Sequence, residues 1–293
     1  MTATTGGTPE LRTHSLERDG VRQVYHVAGT GPVCVVHSGG PGIEWKYLRM
    51  PALEEHLTMV YLEPVGTGAS GRLADRREYR LETYERFVHA VVEALGVPKV
   101  YLLGHSHGGF VAQRYALAYP DRVAGLILYD TSPVTGPSFW AAAMAGVTSY
   151  PQRHPDRPEA ATVPAAFEAA VTAADDESMT TELRRMMPVY FADYWRYEQQ
   201  YAPLVASVRA WADPQRGEEP TPFDVRGRLA SVTAPTLIMV GAHDFICGPH
   251  WAELLHEEIP GSRLTLLGES GHFGHIEQPG VFYPAVIDFI HQS

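Results

Sequence analysis

The stretch "LLGHSHGGF", Leu102 to Phe110, decides how the rest of the chain is read. It passes from an apolar segment into Gly104-His105-Ser106-His107-Gly108, a G-x-S-x-G pattern, and then into helical spacing. A strand before the pattern and a helix after it are the setting such a turn requires. The glycines make room where the turn is too tight for side chains, and Ser106 is left with its hydroxyl exposed above the end of a sheet. A serine hydroxyl is a poor nucleophile at neutral pH, so it needs a base to take its proton and a third group to orient that base.

Working outward, short β-branched runs alternate with amphipathic segments, the pattern of a mostly parallel sheet covered by helices and hence of an α/β fold. "LRTHSLERDGVRQVYHVAG" reads as a hairpin turning at Asp19-Gly20. Val33 to Ser38, Thr58 to Glu63, the "KVYLLG" run and "VAGLILYD" read as strands, with "ETYERFVHAVVEALG" and "HGGFVAQRYALAYP" as helices between them. After Asp130 the alternation stops. Residues 132–231 are rich in Ala, Pro and aromatic residues, contain helical pieces such as "PAAFEAAVTAA" and "TTELRRMMPVYFADYWRYEQQY", and hold no convincing strand. The expected organisation is a core of residues 1–131 and 232–293 with a helical cap, 132–231, inserted between them. The sheet resumes with Ala234 to Gly241 and "SRLTLLG", each followed by a helix.

The loops after the last two strands hold the partners Ser106 needs. "VGAHDFICGP" offers Asp244 and "GESGHFGHIEQP" offers His272, giving the order Ser, Asp, His. In a parallel sheet these loops all lie at the carboxyl ends of strands, so residues distant in sequence can meet. Asp130 also follows a strand and is the alternative acid; His275 is the alternative base, but the Ser-Gly-His run favours His272. Charge developing on an attacked carbonyl oxygen calls for backbone donors: the N–H of His107, directly after the serine, and that of Gly40, with Gly39 next, in the loop "HSGGPG".

Composition excludes other classes. A net charge of -11 without any Lys/Arg cluster argues against nucleic acid as a partner. Two cysteines, Cys34 and Cys247, make neither a disulfide framework nor a metal cluster, and His37, His105 and His107 form no ligand motif, so neither metal nor cofactor is expected. The start, "MTATTGGTPELRT", has no signal-peptide character, no run is long enough to cross a bilayer, and a cytoplasmic protein with a loose tail of about ten residues is expected.

On these motifs the chain resembles the α/β-hydrolases, specifically the proline iminopeptidase-like group. That group's H-G-G-P-G element appears as Ser38-Gly39-Gly40-Pro41-Gly42, with His37 one place early. Its D-x-x-G-x-G-x-S element appears as Glu63-Pro64-Val65-Gly66-Thr67-Gly68-Ala69-Ser70, and its acid loop is echoed by Gly241, Asp244 and Cys247, with Gly248 in place of proline. The resemblance covers the sheet segments and implies an α/β-hydrolase fold and acyl-transfer chemistry at Ser106. It also implies glutamates that hold a peptide's free amino terminus, yet Phe245 follows Asp244, and Glu198 and Asp193 sit in no matching segment. A buried ammonium without such partners costs several kcal/mol. The expected substrate is therefore a small, fairly apolar ester, lactone or amide, with Gly39, Phe245, Tyr190, Tyr194 and Trp195 as candidate contacts. An iminopeptidase and a non-hydrolytic enzyme (lyase, acyl transfer or cyclisation) are the alternatives. Oligomeric state is not legible.

Overall fold

The computed structural model describes residues 10–215 and 222–292; the expected N-terminal tail lies outside them. Eight strands form one sheet: β1 (Arg12–Arg18), β2 (Val21–Gly29), β3 (Val33–His37), β4 (Thr58–Glu63), β5 (Val100–His105), β6 (Val123–Tyr129), β7 (Thr236–Gly241) and β8 (Arg263–Leu267). Their order is β1-β2-β4-β3-β5-β6-β7-β8. The pairs β1/β2 and β2/β4 are antiparallel; from β4 to β8 every pairing is parallel. The first hairpin turns at Asp19 and Gly20, both with positive φ.

The central strands β5 and β7 are buried at every position, which is why they read as continuous apolar runs and not as alternating ones. One sheet face is covered by the helices Leu81–Ala94, His107–Ala118 and Pro249–Glu258, whose buried residues include Tyr84, Val88, Val91, Phe110, Tyr115 and Leu255. The spacing of Tyr84, Val88 and Val91 is the inward stripe of an amphipathic helix. The other face carries the closing helix Pro279–Gln292 through Phe282, Val286 and Phe289. That same apolar core continues into the segment between β6 and β7, where Val147, Phe167, Leu183 and Tyr201 are buried.

The segment between β6 and β7 contains helices Pro137–Arg153, Val163–Thr172, Asp176–Met186 and Glu198–Ser207. Asp175 caps the third of these by accepting from the Ser178 N–H at 2.8 Å, as the acidic run at its start suggests. The long helical piece expected over 180–201 is interrupted. It ends at Met186, passes through a short 3-10 turn, Met187–Tyr190, and becomes helical again only at Glu198. Pro188 supplies the reason, since it has no N–H for the helical ladder. The interruption leaves the backbone of Tyr190 and Ala192 free to bond elsewhere. No helix among the described residues is long and apolar enough to cross a membrane.

Candidate active site

The corner between β5 and the helix His107–Ala118 holds Ser106 at φ 54° and ψ -121°, a conformation that a non-glycine residue adopts at a cost on the order of 1–3 kcal/mol. Its surroundings compel it. The Ser106 N–H donates to the Tyr129 carbonyl at 3.0 Å, while its own carbonyl accepts from the Gly109 N–H and from Thr131 Oγ1, both at 2.8 Å. The flanking glycines allow close packing: a Cβ on Gly104 would lie 2.3 Å from the Gly108 carbonyl oxygen, and one on Gly108 would lie 2.2 Å from that of His37.

Asp244 follows β7 and His272 follows β8, and the structure brings them together: His272 Nδ1 donates to Asp244 Oδ2 at 2.7 Å, both residues buried. The other carboxylate oxygen, Oδ1, accepts from the N–H groups of Ile246 at 2.9 Å and Cys247 at 3.1 Å, so the acid is aimed by its own loop. Backbone bonds from Ala242 to Leu267 and from His243 to Ser270, each 2.9 Å, clamp the acid loop to the base loop. His272 and Ser106 line one cavity together with Gly39, Gly40 and Tyr190.

Gly40 adopts φ +129°, which only glycine takes readily, and lines the cavity at Ser106. Gly39 is less suited to be a donor: its N–H already donates to Tyr47 Oη at 2.8 Å. The N–H groups of Gly40 and His107 have no acceptor among the described residues, and His107 heads a helix, where the first N–H groups lack partners within the helix.

Tyr47 opens a network that sequence reading missed. Tyr47 donates its hydroxyl proton to His105 Nδ1 at 2.7 Å, and His105 Nε2 donates to the His272 carbonyl at 2.9 Å. His275 repeats the arrangement, donating through Nε2 to the Tyr47 carbonyl at 2.8 Å and accepting through Nδ1 from Tyr129 Oη at 2.9 Å. The glycine loop, the serine corner and the base loop are thereby joined through two neutral imidazoles. Burial holds His105 well below the ordinary imidazole range and His275 at about 4. Both nitrogens of His275 are spent on structure, which removes it as a rival base.

The rival acid, Asp130, is fully buried at the end of β6. Its Oδ1 accepts from the Gly241 N–H at 2.8 Å, its Oδ2 has no partner, and burial, reinforced by the nearby Asp244, pushes its carboxyl well above the carboxylate range. The carboxylate that His272 Nδ1 meets is that of Asp244 and not that of Asp130. His105, Asp130 and His272 have ligand-type atoms within 4.8 Å of one another. Both nitrogens of His105 and Nδ1 of His272 are already committed to the bonds above, so this trio fits the hydrogen-bond network better than a cation.

Glu277 is a second residue that no motif announced. Its carboxylate accepts from the N–H of Ala192 at 2.7 Å and of Gly271 at 2.9 Å, and from Ser270 Oγ at 3.1 Å. Beside it, the His272 N–H donates to the Tyr190 carbonyl at 2.7 Å. The helix break at Pro188 thus exposes the very backbone groups that hold the base loop. The Glu63 motif has a comparable structural role: its carboxylate bonds His26 Nε2 at 2.8 Å and the Ala69 N–H, and Ser70 Oγ donates to its carbonyl at 2.7 Å, closing the turn after β4.

Of the remaining candidates, Tyr190 lines the cavity, whereas Phe245, Tyr194 and Trp195 line neither cavity that opens at Ser106. This corrects the expectation for those three. Phe245 stands behind Tyr190, its ring edge-on at 4.9 Å; Tyr194 packs on Trp195, Phe191 and Tyr201. The sequence shows that such rings are apolar, but not on which side of the core they point. Glu198 and Asp193, the acidic residues nearest to a possible amine site, are exposed.

Residues 31–279 match the model of the alpha/beta hydrolase fold family. Among similar proteins, the 2-hydroxy-6-oxo-2,4-heptadienoate hydrolase of Pseudomonas putida is 27% identical over 277 residues, covering 92% of this chain and 93% of its own. The proline iminopeptidase of Saccharolobus solfataricus is 26% identical over 293 residues, covering 92% and 88%. In structure, an esterase from Exiguobacterium antarcticum superposes with a TM-score of 0.69 at 24% identity over 93% of this chain and 97% of that one. With a mostly parallel eight-stranded sheet and a family match over most of its length, the chain belongs to the alpha/beta hydrolase fold family and is an enzyme of the hydrolase class.

Proposed function

We propose that the protein is a serine hydrolase of small, uncharged, fairly apolar carboxylic esters. In this reading His272 takes the proton of Ser106 as the hydroxyl attacks the carbonyl, and Asp244 steadies the resulting imidazolium. The N–H groups of Gly40 and His107 receive the oxyanion. His272 then protonates the departing alcohol, and water, activated by the same imidazole, releases the acid.

The observation that carries this reading is the 2.7 Å bond from His272 to Asp244 beside a cavity shared with a strained Ser106. The substrate class follows from charge. Among the described residues, neither cavity at Ser106 is lined by Lys, Arg, Asp or Glu. A free amino terminus, as the name proline iminopeptidase implies, or a carboxylate, as the name heptadienoate implies, would enter without a counter-ion and lose several kcal/mol of hydration. The segment 132–231 serves as a cap in this reading, because Leu183, Met187 and Val208 form part of the cavity wall. A small molecule is the partner, no cofactor is required, and the location is cytoplasmic.

Active-site titration with a fluorophosphonate, followed by turnover of ethyl butyrate and proline ethylamide, tests the proposal. The expected result is stoichiometric labelling, lost in Ser106→Ala, with the ester turned over far faster. Preference for the prolyl amide that disappears on N-acetylation would favour an aminopeptidase, and turnover surviving Ser106→Ala would favour non-hydrolytic chemistry.

A further inference from the structure

Two cavities of very different size meet at Ser106, and both also border Gly40 and Ile246. The smaller encloses about 60 Å³ and is the one lined by His272; Leu183, Met187, Val208 and Phe273 close it. At roughly 10–15 Å³ of such space per water, it holds a group of about four to six heavy atoms. The larger, about 600 Å³, runs past His107 and Cys247 between Phe110, Phe139 and Trp140. That size is in the range of cavities that enclose whole small-molecule ligands, roughly 300–1,000 Å³.

Proton transfer decides which part of an ester occupies which cavity. In the first half of the reaction the carbonyl–oxygen bond to the alcohol breaks, and that oxygen must receive the proton which His272 took from Ser106. The leaving group therefore lies on the His272 side, where space is scarce. The acyl group is left to the other side, where it is ample. We infer that the preferred substrate is an ester of a long or bulky apolar acid with a small alcohol, its alcohol part in the His272 cavity and its acyl part in the cavity lined by Phe110, Phe139 and Trp140. This rests on the serine-hydrolase reading above. It narrows that reading, because a compact lactone, whose acyl and alkoxy parts share one ring, cannot divide itself between the two compartments. The balance is that of simple hydrolysis: ester and water give acid and alcohol.

The test uses isomers of equal size and polarity, ethyl octanoate and octyl acetate, on the purified full chain after fluorophosphonate titration of Ser106. The expected kcat/KM favours ethyl octanoate by at least about tenfold, since even one misplaced methylene in a tight apolar pocket costs roughly 10- to 200-fold. Val171 lines the large cavity and is 66% exposed, so Val171→Trp can narrow it without disturbing the core. That variant should lower the ethyl octanoate to ethyl acetate ratio at least about fivefold. Equal rates for the isomers, preference for octyl acetate, or an unchanged ratio in Val171→Trp overturns the assignment of the cavities while leaving the labelled serine in place. Absence of labelling overturns the serine reading itself.

Discussion

The loops at the carboxyl ends of the strands and the helical segment between β6 and β7 are held together by different forces. Around Ser106 a chain of hydrogen bonds ties loop to loop: Gly39 to Tyr47, Tyr47 to His105, His105 to His272, and His272 to both Asp244 and Tyr190. In the helical segment the rings of Phe191, Tyr194 and Tyr201 pack on one another, and the contacts are mainly apolar. Hydrogen bonds have direction and short range, so the first region sets atoms to fractions of an ångström; apolar packing has little directional preference and tolerates substitution. Precision is concentrated where a reacting atom would sit, and tolerance lies in the packing behind it.

The strongest way to break this contrast is at the centre of the network. Ser106→Ala should lower kcat by about 10⁴-fold or more. Ser106→Gly should be equally inactive yet melt no lower than the native protein, because glycine relieves the positive φ; a clear loss of Tm would show that the corner is not strained. Asp244→Asn should cost about 10³- to 10⁴-fold in kcat, with Asp130→Asn within about threefold. The reverse order would make Asp130 the working acid.

Next in size is Tyr47→Phe, which strips the acceptor from the Gly39 N–H and the donor from His105 without emptying the core. A loss of about 10- to 100-fold in kcat is expected if Gly40 binds the oxyanion as proposed, because small displacements of its loop are then costly. A variant with native kcat would mean that the relay does not position the loop.

The network also predicts an acid limit to stability. Burial holds His37 and His275 at about 4 and His107 at about 3, with His105 lower than the ordinary 6.5 as well. Between those values and 6.5 the unfolded chain binds more protons than the folded one, so stability rises with pH through this window and is lost as pH falls through it. Tm measured from pH 7 to 4.5 should fall by about 10 °C or more. A flat profile would contradict the burial of these rings. The smallest effect is expected in the other region: Trp195→Phe should change KM and kcat by less than about twofold, since its ring packs on Tyr194 and lines neither cavity.

Much of this was legible beforehand because it is written in short-range patterns. β4 falls where its apolar run predicts, and Ser106, Asp244 and His272 sit in loops that chain order and turn chemistry already mark. Tyr47, Glu277 and the role of His275 were not legible, since a tyrosine beside Leu48 or a glutamate before Gln278 carries no sign of a partner far away in sequence. The same limit explains Phe245, Tyr194 and Trp195, whose apolar character is legible but whose direction is not.

By itself the sequence determined the alternation of strands and helices, the tight corner at Ser106 and the carboxylate and imidazole that follow the last two parallel strands. These depend on periodicity, on glycine and proline, and on the order of loops at one edge of a sheet. Only the tertiary structure decided which backbone groups hold the His272 loop, that His272 meets Asp244 and not Asp130, and that the space around the serine is divided into a small and a large compartment. Those outcomes depend on distances between residues remote in sequence, and on volumes left over after packing, quantities that no local pattern encodes.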